Sequence, residues 1–348
     1  MHSYKNLIDL HNENKFSIVC IDAIPRSMST VLEIALAEIA DLQLNEVFNR
    51  GMSDLEHSSQ TLHELIEPFL RETSEGVKVI SKNIASEIGT NNFKQWIKLS
   101  EVVVFTIREP ILQTVSLIER VGNDKLHRRG SDKMKFSELK KLGDKIDKIF
   151  LNYKFKRNSW EDLNEHVSWV STTKIPYFIV DGTLLTKIPN YCIKHLAKSI
   201  GRRFVKKAVD NWSKAARENF INVNHYERDY DPERISTNAW VREANASTSF
   251  KEDKKTLIKL EDLENFFPSI ADYVEEIAYP IYIKLVRENG FMIDGKTLSQ
   301  YKNRQKNQKS NGLQAVDIIG SLRSSDPWFY KEIQQQDPLL YKLLKKYG

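Results

Sequence analysis

Residues Ile18–Glu33 read IVCIDAIPRSMSTVLE: an apolar strand, a short polar loop and the start of a helix. Strand-to-helix turns of this kind hold phosphate in α/β proteins, because loop N–H groups and the positive end of the helix dipole face one point. Arg26 adds a full charge there, and Ser27, Met28, Ser29 and Thr30 line the turn. Taken alone, the three hydroxyls read equally well as helix caps. A second junction follows at Val102–Leu117, VVVFTIREPILQTVSL, where Arg108 leaves a buried strand and Ser116 lies eight residues on. With Pro110 at the first helical position, Ser116 stands roughly 9 Å farther along the axis at ~1.5 Å per residue. Its hydroxyl then lies on the side of the helix, and with the Arg108 fork it can grip one phosphate group. Two anion sites on two such turns imply a ligand with phosphates at both ends.

Outward from these turns, apolar runs alternate with segments of helical spacing. Strands are expected at Phe16–Ile24, Leu44–Phe48, Val77–Ser81, Val102–Ile107 and Ile175–Val180. Val102–Ile107 is the most apolar, as suits the middle of a parallel sheet covered on both faces. Helices are expected after the first loop, over Ser59–Leu70, Pro110–Arg120 and Asn190–Ile200, and through a long lysine-rich stretch, Met134–Ser171. The alternation predicts an α/β fold, three-layer α/β/α around a central parallel sheet with right-handed crossovers. From Ser249 only helical patterns remain, with Ile258–Asn289 stopping at Gly290. The domain reading is therefore residues 1–290 as one α/β domain with a helical insert at 125–170. Residues 291–348 read as a polar linker and a helical tail, a C-terminal extension.

Composition removes several classes. Of 348 residues, 41% are hydrophobic and 28% charged, the balance of a soluble protein with a real core. The net charge of +5 comes from 52 basic and 47 acidic side chains mixed along the chain, unlike the concentrated basic face of a nucleic-acid binder. Cys20 and Cys192 lie far apart, which implies no disulfide framework and fits a reducing, cytoplasmic setting. No stretch approaches the ~20 apolar residues of a membrane helix, and the N-terminus lacks a signal-peptide core. The eight histidines form no HxH or HExxH spacing, so no metal is expected. The GxxxxGK[ST] loop of ordinary ATP and GTP sites is missing, and no glycine occurs between Met1 and Gly51.

PRSMST at Pro25–Thr30 and REPILQTVS at Arg108–Ser116 together resemble the PAPS-dependent sulfotransferase family, in the form of its bacterial members. In that family the first loop holds the 5′-phosphosulfate and the second motif binds the 3′-phosphate of the adenosine end. LNEVF (Leu44–Phe48) looks like the segment in which several members carry a catalytic carboxylate, here Glu46. VISKN (Val79–Asn83) looks like the strand end whose lysine points at the reacting centre, here Lys82. FIVDGTLL and WVREANASTSF resemble later family segments, so the likeness spans Phe16 to Asn289. Two departures stand out. Met28 replaces the usual loop glycine, and the RKGxxGDWK segment of animal members is absent, with Arg242, Ser247 and Thr248 as its potential substitutes.

The resemblance implies transfer of a sulfuryl group from PAPS (3′-phosphoadenosine 5′-phosphosulfate), as co-substrate, to a hydroxyl or amine of a small-molecule or glycan acceptor. Such in-line displacement needs positioning and stabilisation of charge on the leaving phosphate. Arg26, Ser27, Met28, Ser29, Thr30, Arg108 and Ser116 are the expected nucleotide contacts. Glu46, given enough burial, is the first candidate base, His57 the second, and Lys82 a candidate electrostatic stabiliser. Two other readings fit the same scaffold: a kinase-like transferase or hydrolase with another phosphorylated donor, and a non-catalytic regulator that binds adenosine bisphosphate. The tail leaves a homo-oligomer open.

Overall fold

The computed structural model describes residues 2–48, 54–71, 76–126, 134–152, 159–187, 189–214, 216, 221–222, 248–250 and 260–289. A helix, α1 (His2–Asn12), precedes strand β1 (Phe16–Ala23). Then come α2 (Ser29–Ala37), β2 (Leu42–Asn45), α3 (Leu55–Leu70), β3 (Val77–Ile84), short α4 (Ala85–Ile88) and α5 (Thr90–Trp96), and β4 (Ser100–Ile107). The next part holds α6 (Pro110–Lys125), α7 (Phe136–Leu139), α8 (Gly143–Asn152), α9 (Trp160–Val170) and β5 (Tyr177–Asp181). After these follow α10 (Gly182–Lys187), α11 (Pro189–Ser199), α12 (Lys207–Asp210) and the two-residue β6 (Ile221–Asn222). The last described elements are α13 (Leu260–Phe266), α14 (Pro268–Tyr273) and α15 (Tyr279–Asn289).

The strands form one sheet in the order β5-β4-β1-β3-β2-β6, and every neighbouring pair is parallel. Helices cover both faces, which makes the fold three-layer α/β/α. The strand period of two explains the apolar run of β1. Phe16, Ile18 and Cys20 enter one core with α1, α3, α5, α9 and α15, while Val19 and Ile21 enter the other with α2 and α11. In β4, Val103 and Phe105 face the first core and Val102 and Val104 the second. A strand wetted on neither side is expected to be apolar along most of its length.

Strand ends differ from the sequence reading where they matter most. β2 stops at Asn45 because Glu46 turns into the left-handed region at φ 52°. The Glu46 N–H still reaches the Lys82 carbonyl at 2.7 Å, after which Val47 and Phe48 fold back into the first core. β3 runs on to Ile84, so Lys82 is a strand residue, in register with Asn45.

The lysine-rich stretch is not one insert. Trp160, Leu163, Val167 and Val170 of α9 pack on the sheet, which makes α9 an ordinary covering helix between β4 and β5. Phe136, Leu139, Ile146 and Phe150 join Ile118, Phe267 and Ile270 in a third cluster beside α6. At the start of α8, Gly143 lies against the Phe266 carbonyl, where a Cβ would come within 2.2 Å. The helix expected over Ile258–Asn289 is broken before Pro268, which has no N–H to continue the ladder, and a π-helical turn (Val274–Ala278) follows. The linker and tail (291–348), residues 127–133, Arg242 and Ser247 lie outside the described residues. Among the described residues no helix is long and apolar enough to cross a membrane.

This topology marks one place for a ligand. From β1 the chain passes through α2 to β2 on one side of the sheet, and from β4 it passes to β5 on the other. β1 and β4 are neighbours whose outgoing connections part, and the crevice beyond the carboxyl ends of such a pair is where open α/β sheets bind ligands.

Candidate active site

The loop after β1 is held in an unusual shape. Arg26 (φ 67°) and Met28 (φ 69°) are both left-handed without being glycine, which costs on the order of 1–3 kcal/mol each. Four contacts hold them so. The Ser27 hydroxyl donates to the Ile24 carbonyl at 2.8 Å and lies 2.6 Å from Thr106 Oγ1 of β4. Gln113 Nε2 of α6 donates to the Pro25 carbonyl at 2.9 Å, and Arg108 Nη1 to the Arg26 carbonyl at 3.2 Å. On the far side, Gly182 admits the Ser27 carbonyl so closely that a Cβ there would stand 2.5 Å from it.

Ser27 thus works inward, as a tie to β4. Met28 takes the cap position of α2, and no side chain caps that helix. In α3, by contrast, Asp54 Oδ1 accepts the His57 N–H at 2.8 Å. The capping alternative for the loop hydroxyls is therefore not what the structure shows, and the first-turn N–H groups of α2 are left for another acceptor. Ser29, buried, and Thr30, half-buried, open this turn.

The two sequence motifs meet at one bond. Arg26 Nε donates to Ser116 Oγ at 3.0 Å, across the gap between the loop and α6. Arg108 and Ser116 are both almost fully buried, at 4% and 3% exposure, so the Arg108 charge lies in a sheltered place where it acts strongly, while Arg26 is half-buried. Arg26, Arg108 and Ser116 form one cradle.

A second polar group stands beyond β3 and β2. Lys82 Nζ donates to Glu46 Oε1 at 2.9 Å and to Asn45 Oδ1 at 3.0 Å. The ammonium is 2% exposed, whereas the Glu46 side chain keeps a third of its surface open. Burial acts to lower the Lys82 pKa, but the net shift is upward, with the Glu46 carboxylate the strongest raising influence, and the lysine stays charged. Glu33, on α2, is completely buried, and neither carboxyl oxygen has a hydrogen-bond partner. Burial pushes its pKa well above the usual carboxylate range, with Lys82 opposing and Glu46 adding to the rise.

The structure therefore joins Arg26 with Ser116, Arg108 with the Arg26 backbone, and Lys82 with Glu46. His57 is in none of these three pairs and sits half-buried in the first turn of α3. Sequence reasoning missed Glu33, Asn45, Thr106 and Gln113. Glu33 had a signal, as a single charge inside the apolar helix STVLEIALA. On the other face of the sheet, Asp22 of β1 bonds His166 Nδ1 at 2.8 Å, and Phe93 stacks on that imidazole, tying α9 to the central strand.

α15 also reaches the strand ends. Tyr282 donates to Asp181 Oδ2 at 2.8 Å, where β5 ends, and Tyr279 donates to Glu109, the neighbour of Arg108. Burial first, and then the partner carboxylates, push both phenols upward, so both remain donors. Among the described residues no group of three or more His, Cys, Asp or Glu side chains is placed to hold a metal ion. No protein-family model matches the chain and no curated protein does, so the chemistry of this site is argued from its own geometry.

Proposed function

We propose that the chain is a PAPS-dependent sulfotransferase that moves a sulfuryl group to a hydroxyl or amine of a small-molecule or glycan acceptor. The observation that carries this reading is the Arg26–Ser116 bond. It puts the loop after β1 and the helix after β4 within reach of one anionic ligand, at the point where the sheet's connections diverge. An uncapped helix N-terminus beside two guanidinium groups suits a nucleotide with more than one phosphate.

Chemistry follows from charge placement. The acceptor oxygen attacks sulfur as the bond from sulfur to the phosphate oxygen breaks, and the leaving phosphate gains the negative charge. Arg26 and the α2 N–H groups stabilise that charge without rearranging. Glu46 takes the acceptor proton. Lys82, buried beside it, fixes the carboxylate's position. Lys82 acts through Glu46 rather than on the leaving group, since its bonds go to Asn45 and Glu46. The sulfuryl step needs no metal. The unbridged, buried thiols of Cys20 and Cys192 support a cytoplasmic location.

The test is transfer of label from PAPS to compounds of a metabolite extract, beside thermal stabilisation by adenosine 3′,5′-bisphosphate and by ATP. Label transfer with stabilisation by the bisphosphate alone supports the reading. Stabilisation by ATP instead points to a kinase-like donor, and bisphosphate binding without transfer to any acceptor points to a regulator.

A further inference from the structure

Glu33 is the least explained group near the site. It lies on α2 one turn beyond the loop, at 0% exposure, and both of its carboxyl oxygens are buried without a partner. A carboxylate held this way without hydrogen bonds loses several kcal/mol of hydration, so the buried form is the neutral acid. Buried polar atoms are nearly always bonded, and an exception asks for a reason.

Its surroundings supply one. Charged groups facing the cluster are Lys82 from β3, Glu46 from the end of β2, and Glu87 from α4. An ammonium has three donors, and the bonds to Glu46 and Asn45 use two of those on Lys82. One buried cation thus acts on both a bonded, partly open carboxylate and an unbonded, fully enclosed carboxyl.

We propose that Glu33 is a positioning residue that stores one proton behind Lys82, so that the whole charge of Lys82 is given to Glu46. With the proton on Glu33, the pair Lys82–Glu46 is neutral as a unit and Glu46 keeps one orientation. Were Glu33 ionised, the cation would be divided between two carboxylates and Glu46 would lose its anchor. The effect on transfer rests on the sulfotransferase reading. The stored proton does not.

Two measurements separate these. The first compares the pH dependence of unfolding for the natural chain and Glu33→Gln, which keeps size and removes the titration. Glu33 has a raised folded pKa, so its contribution is whole below the unfolded value near ~4.3 and is lost as pH rises through the folded value. Above pH ~5 the natural chain is therefore expected to lose stability against Glu33→Gln by about tenfold in the unfolding constant per pH unit. Parallel curves overturn the proposal. Carboxyl carbon NMR of the natural chain gives the same answer without a variant: one glutamate must remain protonated at pH 7, and full ionisation of all of them overturns it.

The second measurement is kcat against pH. Glu33→Gln is expected to remove an alkaline fall in kcat while leaving KM for the nucleotide unchanged. A profile of unaltered shape overturns the positioning role. No transfer by the natural chain sinks the sulfotransferase reading and leaves the stability result standing.

Discussion

Arg26 and Ser116 are ninety residues apart in sequence and 3.0 Å apart in space, guanidinium nitrogen to hydroxyl oxygen. The bond joins the loop after β1 to the helix after β4, across the sheet's point of divergence, and a bound phosphate would replace or share it. Ser116→Ala should weaken adenosine 3′,5′-bisphosphate about tenfold, and Arg108→Lys by roughly 10- to 100-fold. Bonds to charged groups are each worth about 1.5–3 kcal/mol, and lysine lacks the two-pronged geometry. Isothermal titration checks both. Unchanged affinity in Arg108→Lys would remove Arg108 from the nucleotide site.

Glu46→Gln should leave bisphosphate affinity within about twofold and lower transfer by 10²- to 10⁴-fold, the usual contribution of a positioned base. His57→Asn, in the first turn of α3, should change transfer little. Single-turnover rates decide between them. A large loss in His57→Asn with little in Glu46→Gln would exchange their roles.

Gly182→Ala puts a methyl group where the Ser27 carbonyl now sits 2.5 Å from the ideal Cβ position, and Met28 leaves no room on the other side. Either β5 or the loop must move, at a cost of about 1–3 kcal/mol. A lowered Tm and weaker bisphosphate binding are expected together, whereas a lowered Tm alone would show that the loop kept its shape.

Cys20 and Cys192 are buried, and burial raises both thiol pKa values, with Asp22 and Asp181 adding to the rise. The reactive thiolate is therefore scarce at neutral pH. Ellman's reagent should label neither thiol quickly in the folded protein and both in denaturant. Rapid labelling of one under native conditions would contradict its enclosure.

Periodicity made the main strands and the β1 and β4 turns legible, because a strand covered on both faces is expected to be apolar along most of its length. The arginines at those turns were legible for the same reason, as charges at the ends of apolar runs. Strand ends were harder to read. Nothing local in LNEVF shows that Glu46 is left-handed, since that conformation depends on the Lys82 carbonyl and on Phe48 returning to the core. The burial of Lys82 and Glu33 was equally hidden, because a lysine or glutamate reads as surface until the opposing elements are in place. The break at Pro268 could have been read directly, but helical spacing on both sides masked it.

β1 is the first strand of the described chain, yet it lies inside the sheet, between partners that come 61 and 84 residues after its first residue. During synthesis one edge can pair with β3 once Ile84 has emerged, but the other must wait, unpaired, until Ile107 has left the ribosome. Fragments that stop short of β4 keep an open, sticky edge and should depend on chaperones or aggregate, so a nascent-chain release series should show soluble product only once that strand is complete.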